Sequence, residues 1–210
     1  MGQYYMPIII YPDKSVATLY SHAFGCGSKL TEHSWIGNDL VNAVYSRIHK
    51  KPRKVAWIGD YSDDDYEECG EPYTKNLSHK EFIKFYKCAW GKGGKLSEKI
   101  PSTRYTLADL SLINHRTSGM YLINHSLRIY IDLGKYIGCC TVKNGTWEGY
   151  CMDPLPLLTA CGNGRGGGDF SDSDSNIGYE HVGTWAFHEL ELSDVAPSSY
   201  TERDYVFHEG

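Results

Sequence analysis

The sequence predicts an α+β fold: one domain built on a largely antiparallel sheet with two main helices. Two segments carry apolar residues at helical spacing, against about seven runs of strand composition, and most of those runs are joined by hairpin signals. The clearest signals are Pro12-Asp13 and Asn144-Gly145, dipeptides suited to tight turns. The 210 residues fit a single domain, assigned to 1–192, followed by an irregular acidic tail over 193–210.

Residues 4–11 and 16–22 read as two strands that turn at Pro12-Asp13. Leu40, Val41, Val44, Tyr45 and Ile48 then share one face at helical spacing, with Ser34 or Asn38 available to cap the helix start. Residues 55–61, VAWIGDY, form a short apolar strand running into an acidic, solvated loop over 63–71. Ser78 and Glu81 make the S-x-x-E of a reciprocal capping box, Phe82, Ile83, Tyr86 and Ala89 follow at helical spacing, and Gly91 stands where a left-handed terminal residue is wanted. Residues 92–106, rich in Gly, Lys and Ser, read as an exposed connection. The tetrapeptide LINH occurs at 112–115 and 122–125, too few copies for a repeat protein. Residues 120–133 have strand composition with a turn at NHSLR; Asn144-Gly145 suits a hairpin between 137–142 and 147–152; and 182–192 reads as the last strand.

The net charge of −5 hides a division. Residues 1–150 carry nineteen Lys and Arg against fifteen acids, whereas residues 151–210 carry Arg165 and Arg203 against eleven. The one dense basic run, RIHKKPRK at 47–54, follows the first helix and reads as its cationic C-terminal end, which argues against a duplex nucleic acid partner. Seven cysteines without a C-x-x-C pair argue against a disulfide framework and a zinc ribbon, so reduced thiols and a cytoplasmic location are expected. The N-terminal stretch has no basic n-region and no apolar run reaches membrane length, so no membrane partner is expected. Seventeen tyrosines exceed the needs of packing and favour binding surfaces, because the ring is flat and apolar and its tip polar.

The most unusual stretch is CGNGRGGGDFSDSDSN at 161–176. Its G-x-G-x-x-G match fails as a dinucleotide fingerprint, since no helical period follows to carry a pyrophosphate. Asp172, Asp174 and Asn176 have calcium-loop spacing, but Ile177 and Gly183 stand where Gly and Glu are needed, so no metal and no cofactor is assigned. What remains is a loop of unhindered backbone donors, Asn163, Gly164, Gly166 and Gly167, around Arg165, able to wrap an anion. Cys26, in a Gly-rich stretch with His22 and His33 near in sequence, is a remote candidate nucleophile. Asp60 ends a strand between Gly59 and Tyr61, where a rigid sheet presents polar groups to a cleft. Residues 29–39, KLTEHSWIGND, place Lys29, His33 and Trp35 around an electropositive helix start.

Together MGQYY, KLTEHSWIGNDLVNAV, VAWIGDY and PLPLLTACGNGRGGGDF resemble a group of small proteins of bacteria and their phages with no established activity, over roughly residues 2–192. The resemblance carries over no residue roles. A phage-side origin implies host-interaction roles, among them capture or destruction of nucleotide signals of bacterial defence.

These observations point to a soluble binding module for a small anionic, nucleotide-like ligand. Lys29, His33, Trp35, Asp60, Tyr61, Asn163, Gly164, Arg165, Gly166 and Gly167 are its candidate contacts. Two alternatives stand beside it: a hydrolase of such a ligand with His33 or Asp60 as general base, and a protein-binding inhibitor presenting residues 92–106 to a bacterial protein. A homo-oligomer is left open. Arg165→Ala is expected to weaken ligand binding without unfolding the protein, checked by thermal shift across a panel of nucleotides.

Overall fold

In a computed structural model of the chain, the described residues are 3–62, 77–91, 102–105, 119–138, 142–143, 146–147, 152–162, 170 and 177–207. The sheet starts from a hairpin. Strands β1 (Tyr5–Ile10) and β2 (Val16–Leu19) pair antiparallel with Ile8 opposite Thr18 and Ile10 opposite Val16. The expected turn joins them: Asp13 Oδ1 accepts from the Ser15 N–H at 2.9 Å and the Ser15 hydroxyl at 2.6 Å, and Lys14 is left-handed at φ 65°. Strand β3 (Arg53–Gly59) flanks the other edge of β1, antiparallel, with Ile8 opposite Ala56.

Every residue of β1 is buried, because helices cover both faces of this part of the sheet. Tyr5, Ile9, Leu19, Val55 and Trp57 face helix α2 (Asp39–Ile48), whose Leu40, Val41, Val44, Tyr45 and Ile48 are all buried. Asn38 is its cap, accepting from the Leu40 N–H at 2.9 Å. Met6, Ile8, Ile10, Val16, Ala56 and Ile58 face helix α3 (His79–Trp90) through Phe82, Cys88 and Ala89. The Ser78–Glu81 capping box is formed at 3.3 and 3.1 Å. Gly91 departs from its expected role: at φ −58° it is not left-handed, and the helix ends by turning into extended backbone. Two short helices add to these, α1 (Leu30–His33) before α2 and α4 (Leu133–Gly138) later in the chain.

The remaining strands extend the sheet. Strand β4 (Ser102–Tyr105) lies parallel to β2 at one margin. Strands β5 (Tyr121–Asn124) and β6 (Ile129–Asp132) form the hairpin expected around NHSLR. The pair β7 (Val142–Lys143) and β8 (Thr146–Trp147) forms a separate ladder with Val142 opposite Trp147, in the register a two-residue turn at Asn144-Gly145 demands. Residues 137–138, expected to open the first of these strands, belong to α4, while 139–141, 144–145 and 148–151 lie outside the described residues. Helix α5 (Pro154–Thr159) runs into strand β9 (Ala160–Cys161), which lies parallel to β3. Strand β10 (Glu189–Ser193) joins β5 to β3, completing the order β11, β6, β5, β10, β3, β1, β2, β4 once β11 (Thr201–Glu202) is added parallel to β6. Most pairings are antiparallel, so the molecule is an α+β domain with a largely antiparallel sheet. The tail expected to be irregular returns to the body: Thr201–Glu202 form β11, and Phe207 is 4% exposed. No described helix is long and apolar enough to cross a membrane.

Residues 182–188, expected to belong to the last strand, turn instead. The edge of β3 at Val55 is closed by the Phe187 N–H, which donates to Val55 O at 2.8 Å, and Phe187 adopts φ 62° to do so. Its buried ring lies edge-on to Phe82 and stacks near Phe85. A bulky residue in the left-handed region is strained by about 1–2 kcal/mol. Phe187→Ala and Phe187→Gly are both expected to lose about 3–5 kcal/mol of packing. The usual Gly penalty should be offset by relief of this strain, leaving the Gly variant at least as stable as the Ala variant in urea unfolding.

Candidate functional site

Because β3 and β9 are parallel, with Trp57 opposite Ala160 and Ile58 opposite Cys161, they end side by side. β1 begins at the same end. The Asp60 N–H donates to Tyr4 O at 2.9 Å, and the Tyr4 N–H donates to Asp60 Oδ1 at 3.0 Å. On the far side of β1, Tyr4 bridges Lys29, and the Tyr5 N–H donates to Ser28 O at 2.7 Å. Lys29, Tyr4, Asp60 and Gly162 therefore lie on adjacent chain segments across one end of the sheet. Helix α3 clamps this end from behind: the Tyr86 hydroxyl donates to Asp60 O at 2.6 Å and Trp90 Nε1 to Ile58 O at 2.9 Å.

Gln3 occupies the centre. It is 2% exposed, its Oε1 accepts from the Tyr5 hydroxyl at 2.8 Å, and its Nε2 has no hydrogen-bond partner among the described residues. A Cβ at either Gly59 or Gly162 would collide with this carboxamide, so both strand ends need glycine for the close approach. A buried amide left unpaired costs about 1–3 kcal/mol, so a donor retained there calls for an acceptor. Nothing in the sequence singled out Gln3. Its signal exists only once residues 3, 59 and 162 meet.

Several expected contacts are relocated. His33 does not face a ligand: it is fully buried, its Nε2 accepts from Trp57 Nε1 at 3.0 Å, and its Nδ1–H donates to Gly27 O at 3.2 Å. Both ring nitrogens are used, which removes His33 as a general base. Trp35, 38% exposed, bridges to Met152. Asp60 acts first as a clamp on the Tyr4 backbone, and Tyr61 beside it is 44% exposed. The Glu32 carboxylate accepts from the Lys29 N–H at 3.0 Å, fixing the start of α1. Cys26 donates its thiol to Ser21 O at 3.3 Å, and burial pushes its pKa up, which is opposite to what a nucleophilic thiolate needs. Asn163, Gly164, Arg165, Gly166, Gly167, Asp172, Asp174 and Asn176 lie outside the described residues. No cluster of three metal-ligating side chains occurs among the described residues.

Burial holds the His33 pKa down at about 4, because the hydration a charged imidazole would lose outweighs what the Gly27 carbonyl and the Glu32 carboxylate return. Its folded pKa lies below the unfolded value of 6.5, so below pH 6.5 the unfolded chain takes up a proton that the folded chain refuses. Stability is full above pH 6.5 and falls by about 1.4 kcal/mol per pH unit toward pH 4, roughly 3 kcal/mol in all. Urea unfolding between these limits should show this slope, and His33→Gln should flatten it.

Comparison with protein-family models, with curated proteins and with solved structures finds no match to this chain, so the strand-end geometry alone carries the functional argument.

Proposed function

We propose that the chain is a binding module for a small anionic, nucleotide-like ligand seated where β1, β3 and β9 end together. The observation that carries this reading is the Gln3 carboxamide, nine-tenths buried and more, with an Nε2 donor that has no acceptor among the described residues, at the point where Gly162 leads into the glycine-rich stretch of the sequence. A ligand oxygen supplies that acceptor. Lys29 contributes a positive charge one segment away, and the rings of Tyr4 and Tyr61, 49% and 44% exposed, offer flat faces for a base. The site lies outside the carboxyl ends of two parallel strands, β3 and β9.

Holding is favoured over turnover at this site. His33 is committed to the core and the Asp60 carboxylate to the Tyr4 backbone, which leaves the expected general bases occupied. Sequestration of a nucleotide signal fits such a module.

The test is a thermal shift of the full chain with ATP, a cyclic dinucleotide and inorganic pyrophosphate. A probe at about one hundred times its Kd should stabilise the protein by about 2.7 kcal/mol, a rise in Tm of several degrees. Gln3→Met should abolish the rise with the far-UV circular dichroism unchanged, and Lys29→Ala should reduce it. Absence of a shift with every probe, or an undiminished shift in Gln3→Met, would overturn the proposal.

A further inference from the structure

The link between β2 and α1 folds three reactive side chains onto one another. The hydroxyl oxygens of Ser21 and Ser28 are 2.7 Å apart. His22 Nδ1 stands 3.2 Å from the Ser21 oxygen and 3.3 Å from that of Ser28. The imidazole is exposed and its orientation is held by Tyr20, whose ring stacks on it at 5.0 Å and 23°. Backbone contacts hold the segment independently of these side chains: Ser28 O accepts from the Tyr5 N–H, and Ser21 O accepts from the Cys26 N–H.

Counting protons defines what the cluster can do. Two hydroxyls in contact share one O–H between them, which leaves the other O–H for the imidazole. In the Nε2–H tautomer, Nδ1 is the acceptor. One serine oxygen then faces a base while receiving a hydrogen bond from the other serine, and both effects favour the alkoxide. Ser28 is the more exposed of the two, 9% against 2% for Ser21. Gly25, at φ 70° in the same loop, has open space where a side chain would stand, so the loop presents no bulk there. A serine oxygen activated in this way adds to a carbonyl carbon, the electrophile that a serine–histidine pair serves.

We propose that Ser28 is a nucleophile with His22 as its general base and Ser21 as a hydrogen-bond donor to its oxygen, a site for acyl transfer from a carboxylic ester. The Ser28 oxygen bonds to the carbonyl carbon as its proton passes to His22 Nδ1. The ester C–O bond breaks, and the departing alkoxide takes that proton. Water then adds to the acyl-serine with the same imidazole as base, releasing the carboxylic acid and restoring Ser28. No nucleotide is required, so failure of this proposal leaves the ligand reading standing, and the converse.

The probe is p-nitrophenyl acetate with the full chain, read by nitrophenolate release and by mass spectrometry of the digested protein. A burst and an acetyl group on the Ser28 peptide are expected. Ser28→Ala should abolish both, and His22→Gln should slow acylation by about 10²–10⁴-fold. Ser28→Cys keeps the contact and should move the acetyl group to sulfur as a thioester, which guards against an unfolded Ala variant. No burst, an acetyl group on another residue, or unchanged acylation in Ser28→Ala would show that the hydroxyl pair only fastens the loop, and would overturn the proposal.

Discussion

The arrangement where β1, β3 and β9 end together depends on β1 being enclosed on both faces and both edges. Six consecutive buried residues in β1 leave no face for solvent, and each fully buried Ile contributes about 1.5–3 kcal/mol. Pro7 is tolerated inside this strand because of where the ladders stop. Successive N–H groups alternate between edges, and since the Tyr5 N–H points to Ser28, position 7 faces the same way, toward β2. The β1–β2 ladder begins at Ile8 opposite Thr18, so no bond is asked of Pro7. The start of β1 is then flanked by Ser28 and Lys29 instead of β2, and this handover places the 28–29 segment across β1 from the end of β3.

Two buried polar groups near that end behave oppositely. His33 is fully satisfied: Trp57 donates to it, it donates to Gly27, and a charge is held off by burial. Satisfied networks in a low dielectric rigidify what they join, here α1, β3 and the Gly27 loop. Gln3 is half satisfied among the described residues, with one amide atom bonded to Tyr5 and the other without a partner there. The first arrangement turns a histidine in a charged, polar stretch into a core fastener, with both ring nitrogens bonded. The second explains why a plain glutamine does attract attention: an interior amide with an unused donor is the more informative feature, because folding alone gives no reason to keep it.

Elements with a local cause were legible in the sequence. The Pro12-Asp13 turn, the Asn38 cap, the Ser78–Glu81 box, the buried face of α2 and the NHSLR hairpin each follow from neighbours a few residues apart. Features set by distant partners were not. The turn at 182–188 exists because β3 presents a free edge at Val55, and Gly91 is not left-handed because the chain leaves α3 in extended backbone. The same division applies to the site. Lys29 and Asp60 were named as candidates from local context, but that both adjoin Tyr4, and that Gln3 lies between Gly59 and Gly162, follows only from strand order. His22 was noted beside Cys26, yet its partners are two serines, one of them six residues away.

Strand order also joins the two oppositely charged halves. β9 belongs to the acidic part of the chain but pairs with β3 of the basic part, which brings Gly162 against Gln3. Eight residues on, Phe170 is fully buried with its ring edge-on to Phe207 at 6.2 Å. Phe207 and the Val206 carbonyl press against Gly178, a left-handed position at φ 89° that admits no side chain. Gly162 is therefore packed against the start of the chain and Phe170 against its last described residues. Two points eight residues apart in the acidic part of the chain are thus set by opposite ends of the sequence, and both contacts exist only because β9 enters the sheet beside β3 while residues 205–207 return to the core.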